Sequence, residues 1–380
     1  MTQKTESGLI RVRSYAPMTR RQFTAGAGAL GALAVMGAGL RPARAATTVT
    51  MLCWQDYDKG LHVGDFLKEK DISLNTTYIG NNDEIVTKLT AGGLGQIDIV
   101  TPYMGYIPLL VALDVIQPID EKLVPNLADE IEVFRDDPNV IVDGVRYAVP
   151  FTWGSAPMMY DPAVIPTPPE SWHDLEKPEY KGKVGMMDDP LGNMMLAAVI
   201  ATDAEVATLL TPEQLKAAVD YLIKLKKEQV RVVSVSWGEM ADALSRGDIV
   251  ITFSGWETIK KFCADHGKKI EYTYPKEGTF AWLDNYCIAK DAPNRELDHA
   301  VANQIIGVDA QVVIGDEMLQ GIVNRKAVEK LTTSRTLYPY DDIAGFGQKA
   351  RFYAFPPKES DGKHASWSDW LAEYDRFKAA

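Results

Sequence analysis

The sequence predicts an α/β protein of two domains, each built on a mixed or parallel β-sheet covered by helices. Three observations carry this expectation. The chain has 380 residues, of which about 335 follow an N-terminal leader, more than one hydrophobic core usually serves. Short apolar runs alternate with helix-periodic stretches from the start of that region. A second series of the same kind begins after residue 210.

In chain order, residues 49–54 read as a strand, 60–70 as a helix, 73–79 as a strand, 83–91 as a helix opened by Asn81 and Asn82, and 96–101 as a strand. Thr211-Pro212-Glu213-Gln214 supplies a capping residue, a proline at the first helical position and a glutamine able to close a capping box. The helix it starts places Leu215, Val219, Leu222 and Leu225 on one face, the spacing of core packing. Residues 238–246 read as a helix and 248–253 as a strand ending at Ser254-Gly255-Trp256. A tryptophan-bearing loop at the carboxyl end of a strand is where open α/β sheets place ligands, and a cleft between two domains is the default binding site.

The extended apolar segment 275–289 sets Trp282 and Asp284 two residues apart, so both side chains share one face of a strand. A carboxylate beside a π-face suits a small alkylammonium: the carboxylate takes the N–H bonds and the ring attracts the cation. The same pair also reads as a core tryptophan near a capping aspartate.

The first 45 residues read as an export signal. Thr19-Arg20-Arg21-Gln22-Phe23 carries a twin-arginine pair, an Ala/Gly/Leu stretch runs to Leu40, and Ala43-Arg44-Ala45 forms a small-residue cleavage site before Ala46. The apolar stretch is too short and glycine-rich for a membrane anchor. Within it, Gly26-Ala27-Gly28-Ala29-Leu30-Gly31 spells a dinucleotide fingerprint without the strand and acidic partner that a βαβ unit requires. Cleavage removes seven of 40 basic and one of 52 acidic residues, leaving 33 against 51, a net charge of −18. That balance argues against nucleic acid or an anionic membrane as partner and suits a soluble protein that meets cations.

No cofactor or metal is expected. His62, His173, His266, His299 and His364 are scattered without ligand spacing, and Cys53, Cys263 and Cys287 form no Cys-x-x-Cys pair. An odd count leaves at least one thiol free; a Cys53–Cys287 bridge is the alternative, but both fall in strand-like runs where a buried free thiol is ordinary. There is no Gly-x-Ser-x-Gly or His-Glu-x-x-His motif, and Ser360-Asp361-Gly362-Lys363 matches Ser-x-x-Lys only in a polar loop, so an enzyme is not expected.

Several separated stretches together resemble the periplasmic spermidine/putrescine-binding proteins of bacterial ABC transporters. They are Trp54-Gln55-Asp56-Tyr57, residues 98–102, 147–154, 171–175 and 177–184, Asp188-Asp189 and the segment from Pro275 to Asp284. The resemblance implies a two-lobed periplasmic binding protein fold (type II), with mixed sheets flanked by helices and a ligand cleft between the lobes. It assigns residues 46–152 with 285–328 to lobe 1, and 153–284 with 329–380 to lobe 2.

It also implies that Trp54 and Tyr57 line the cleft with Asp56 nearby, and that Asp189, Trp282 and Asp284 meet amino groups or alkyl stem. Tyr103 stands where the family has a serine and then a tyrosine, Gly192-Asn193 stand where it has a further acidic residue, and Trp256 is displaced by one. These departures leave the ligand open among putrescine, another cationic amine, and a zwitterion such as an amino acid, γ-aminobutyrate or an opine. A carboxylate-bearing solute needs an arginine, for which Arg325 is the candidate. The expected partners are a small cationic solute and an inner-membrane permease that recognises the closed form, and a monomer is expected.

Overall fold

A computed structural model describes residues 46–380, and the expected export signal lies outside the described residues. In chain order the strands are β1 (Thr47–Cys53), β2 (Ile72–Tyr78), β3 (Ile99–Val100), β4 (Ile141–Val142), β5 (Val145–Arg146), β6 (Val149–Ser155) and β7 (Met158–Tyr160). They continue with β8 (Val184–Met187), β9 (Val230–Ser234), β10 (Ile251–Phe253), β11 (Glu271–Thr273), β12 (Thr279–Ile288), β13 (Gly321–Ile322) and β14 (Ala350–Phe352).

The first sheet runs β13-β6-β12-β3-β1-β2 with β14 beside β12, the second runs β11-β7-β10-β8-β9, and β4-β5 is a separate hairpin. Both sheets are mixed. β1 pairs in parallel with β2 and β3, and β8 with β9 and β10, while β12 runs antiparallel to β6 and β3. Each sheet gathers its own helices, so the chain forms two lobes. The chain passes between them from β6 to β7 and again from β11 to β12, and β6 and β12 are paired side by side along that junction.

Local chemistry explains most elements and corrects some expected boundaries. Thr211 and Gln214 do close a capping box on the helix Pro212–Glu228, which buries Leu215, Val219, Leu222 and Leu225. The helix expected over 60–70 is split into Lys59–His62 and Phe66–Glu69, with Gly64 between them at φ +67°. The helix expected over 83–91 keeps α geometry only over Asp83–Lys88, and Gly92 at φ +104° ends the turn that follows. Cys53, Cys263 and Cys287 are free and buried.

The segment assigned from sequence to lobe 2 as 329–380 divides. Residues 332–334 are fastened to the helix Val308–Met318, where Asp316 accepts from the backbone of Thr332, Thr333 and Ser334, and Tyr338 and Phe346 pack on Trp153 of β6. The C-terminal helix Trp367–Ala379 joins the second lobe, led in by the Ala365 N–H donating to the Leu210 carbonyl at 2.8 Å. Tyr374 donates to Asp188 at 2.9 Å, Arg376 pairs with Asp220 at 2.7 Å, and Lys226 lies 4.9 Å over the Phe377 ring. The amphipathic spacing of that helix gives a packing face but does not say which lobe receives it.

The lobes touch across the mouth between them. A Cβ on Gly80, just after β2, would lie 2.1 Å from the backbone oxygen of Val235, just after β9. No side chain fits in that gap. Replacing Gly80 by Ala is therefore expected to hold the mouth open, enlarging the radius of gyration in small-angle X-ray scattering while the thermal midpoint stays within about 2 °C of the parent. An unchanged radius would show that this contact does not limit closure.

Candidate functional site

Between the lobes lies a cavity enclosing about 670 Å³ of empty space, its mouth included. Its first-lobe wall comes from the ends of three elements: Trp54 and Tyr57 after β1, Asn82 ahead of the helix Asp83–Lys88, and Tyr103 after β3. Its floor is β12, which contributes Phe280, Trp282 and Asp284. Its second-lobe wall holds Asp189, Gly192, Trp237 and the loop Ser254-Gly255-Trp256. Both walls thus present the carboxyl ends of strands, where an open sheet leaves backbone and loop residues unpaired.

Each side chain is held for a local reason. The β12–β6 register shifts between Asp284 and Asn285, an irregularity that re-aims the carboxylate beside its turn. Asp284 is 5% exposed and accepts a 2.6 Å hydrogen bond from the Tyr57 hydroxyl. Tyr57 is fixed in turn by edge contacts with Phe151 at 4.9 Å and Trp256 at 6.3 Å. Trp282 donates from Nε1 to the Ser155 carbonyl at 3.1 Å and lies flat on Gly154, where a Cβ would come within 2.4 Å of its ring.

On the opposite wall, Ser254 takes φ +67°, and Gly255 packs so tightly on Met159 that a Cβ would lie 2.4 Å from its Cγ. That turn delivers Trp256 to a position 5.9 Å from the ring of Trp237. Asp189 occupies the N-cap of the helix Pro190–Ala201 without making a capping hydrogen bond, and its carboxylate folds over Gly192, where a Cβ would meet Oδ2 at 2.3 Å.

The charge is one-sided. Two carboxylates line the cavity and, among the described residues, no basic side chain does. Burial pushes Asp284 up to about 7, opposed by the Tyr57 hydrogen bond and reinforced by the charge of Asp189. Burial likewise pushes the half-buried Asp189 up to about 7, opposed by the Gly192 and Leu191 amides and reinforced by Asp83 and Asp188. Ionising either group in the empty cleft is costly, so the site is poised to gain from a cation. Among the described residues no group of three or more His, Cys, Asp or Glu is arranged to hold a metal.

Of the residues expected from sequence, Trp54, Tyr57, Tyr103, Asp189, Trp256, Trp282 and Asp284 come together in this one cavity. Asp56 does not line it. It sits in a turn at φ +69° and pairs with Lys59 at 2.9 Å, because the turn after β1 points alternate side chains away from the cleft. Arg325 is also elsewhere, donating to the Ala128 carbonyl on the surface, and Asn193 is buried behind the wall, donating to Met187 and Tyr374. Asn82, Trp237 and Ser254 are lining residues that periodicity did not single out. Trp237 follows the end of β9, so the strand-end rule that pointed to Trp256 also applies to it.

A folded carboxyl at about 7, against 3.8 for the free group, holds more protons than the unfolded chain between about pH 4 and pH 7. Its contribution to stability therefore falls as pH rises through that window and stays low above it. Asp284→Asn keeps an acceptor for Tyr57 but cannot ionise. The ligand-free variant is expected to melt higher than the parent at pH 8 and equal to it near pH 4, and calorimetry showing the reverse order at pH 8 would overturn the assignment of a costly charge.

Comparison with known proteins places this geometry in a family. The model of the bacterial extracellular solute-binding protein family matches residues 63–302. The spermidine/putrescine-binding periplasmic protein of Escherichia coli K12 is 25% identical over 319 residues, covering 82% of this chain and 88% of the relative. The putrescine-binding periplasmic protein SpuD of Pseudomonas aeruginosa is 24% identical over 337 residues, covering 83% and 89%. A solved Listeria monocytogenes chain described as a spermidine/putrescine ABC transporter superposes with a TM-score of 0.74 at 22% identity, covering 87% of this chain and 98% of its own, so the two-lobed fold is shared. With more than half of its length matched by the family model, the chain belongs to the bacterial extracellular solute-binding proteins.

Proposed function

We propose that this protein is the periplasmic solute-binding component of an ABC importer and that its solute is a small cationic amine of the putrescine/spermidine kind. One observation carries the ligand class: Asp189 and Asp284 face a cavity walled by Trp54, Tyr57, Trp256 and Trp282 with no basic residue in its lining among the described residues. An ammonium entering that space meets a carboxylate and restores the favourable ionised state of a group that burial had pushed toward neutrality. The indole and phenol rings cover methylenes and add cation–π attraction, about 0.5 to 2 kcal/mol each. The names of the relatives are consistent with this class.

A zwitterion is less well supported. Its carboxylate would be buried beside two others, and Arg325, the candidate counter-charge, stands outside the cavity. Contacts from both lobes exist together only when the mouth is shut, so the ligand biases the chain toward closure, and the closed form is what a membrane permease can distinguish. Export through the twin-arginine signal and action as a monomer complete the proposal.

The test is a thermal-shift panel on protein unfolded and refolded to strip carried-over ligand, with putrescine, spermidine, spermine, γ-aminobutyrate and simple amino acids. A ligand at 100 times its dissociation constant adds about 2.7 kcal/mol, a shift of several degrees. Di- or polyamines are expected to shift the midpoint, and a shift with zwitterions alone would refute the amine class. Asp189→Asn and Asp284→Asn are each expected to weaken the amine at least about tenfold, the loss of one partner from a buried charge pair.

Affinity also carries a pH signature. A bound cation lowers carboxyls that stand at about 7 in the empty cleft, so binding releases protons and tightens as pH rises from 6 to 8. Calorimetric titration in two buffers of different ionisation enthalpy measures that release, and proton uptake at pH 7 would contradict it.

A further inference from the structure

The two carboxylates account for the cationic part of a ligand, but the cavity also offers a hydrogen-bond donor that a plain diamine cannot use. Asn82 is 7% exposed and lines the cavity. Its Oδ1 accepts the Tyr103 backbone N–H at 2.8 Å, and a backbone N–H can only donate, so the orientation of the amide is fixed. The end left for the cavity is the Nδ2 amino group, which donates to no described residue.

The indole Nε1 atoms of Trp54 and Trp256 are sealed from the cavity and that of Trp282 is satisfied by Ser155, so none of these three competes with Asn82 for a ligand oxygen. An unmade hydrogen bond at a donor shut inside a closed cleft is expensive, about 1 to 3 kcal/mol, and such a donor selects a ligand able to pair with it. An ammonium has no acceptor. A carboxylate accepts, but it would enter beside Asp189 and Asp284 with no cation in the lining to offset it.

We propose that the preferred solute is an amine that also carries an uncharged acceptor oxygen, the chemistry of a mono-N-acylated diamine, with its carbonyl accepting from Asn82 and its ammonium on the Asp189/Asp284 side. This rests on the amine reading above and narrows it. The remaining ammonium needs only one of the two carboxylates in its ionised form. Asp284 already accepts from Tyr57 through Oδ2, which leaves Oδ1 for the ligand. Asn82 is then a specificity-determining residue, chosen by its fixed amide orientation.

The experiment is calorimetric titration of the stripped full-length protein with putrescine, N-acetylputrescine and γ-aminobutyrate, repeated on Asn82→Asp. The substitution keeps an acceptor for the Tyr103 N–H and replaces the free donor by a carboxylate. The parent is expected to bind N-acetylputrescine at least tenfold more tightly than putrescine, and Asn82→Asp to reverse that order. Putrescine binding as tightly as or more tightly than its acetylated form to the parent would overturn the inference while leaving the amine reading intact. Binding of γ-aminobutyrate alone would overturn both. The parent's ratio decides the matter if the variant fails to fold.

Discussion

A carboxylate taken out of water on the junction between two lobes is the constraint around which this structure is arranged. Asp284 is buried on β12, and the Tyr57 hydroxyl is the one described side chain that bonds to it. Tyr57 belongs to the turn after β1, so the strand that crosses between lobes and the first wall of the cleft are tied through this short hydrogen bond and through a second, from the Tyr286 hydroxyl to the Tyr57 carbonyl at 3.2 Å. Burying that charge works against the fold until a counter-charge arrives. The empty protein therefore holds a group whose favourable state depends on ligand.

Around that group, aromatic rings are placed by the absence of side chains as much as by their own contacts. Gly154 gives Trp282 a flat backbone to lie on, Gly255 lets the loop to Trp256 press against Met159, and Gly192 leaves room for the Asp189 carboxylate over the first helical turn. A Cβ at any of these points intrudes on a named atom. Packing in the site is thus as constrained as in the hydrophobic core, although its walls come from separate lobes. Behind the rings, the Ser155 hydroxyl bonds the buried Glu257, which directly follows Trp256 and which burial pushes up to about 7. The second-lobe aromatic wall is thereby coupled to crossing strand β6.

The cleft combines two kinds of recognition that differ in reach. Charge draws a cation from a distance and fixes its sign, and the chain's strongly acidic composition adds to that pull. A hydrogen-bond donor such as the Asn82 amide acts only at contact, and under the proposed reading it separates an acylated amine from a plain diamine because an unpaired buried donor penalises the wrong one. A donor whose orientation is set by a backbone N–H is well suited to this task, since it cannot turn to accept instead.

Residues whose role follows from local chemistry were legible in the sequence. The alternation of strands and helices, the capping box at Thr211, the strand-end loop bearing Trp256 and the shared face of Trp282 and Asp284 all rest on periodicity or spacing, and each is found where expected. Resemblance to a family added Trp54, Tyr57 and Asp189 to the same list, and Tyr103 lines the cavity where the sequence departs from that family. Tertiary structure alone decided that the C-terminal helix packs on the second lobe and that Asn82 faces the cleft with its amide already oriented. The reason is physical. Helix caps and strand faces are fixed within a few residues, whereas which lobe a helix covers and which end of an amide is free depend on partners 21 to 186 positions away in the chain.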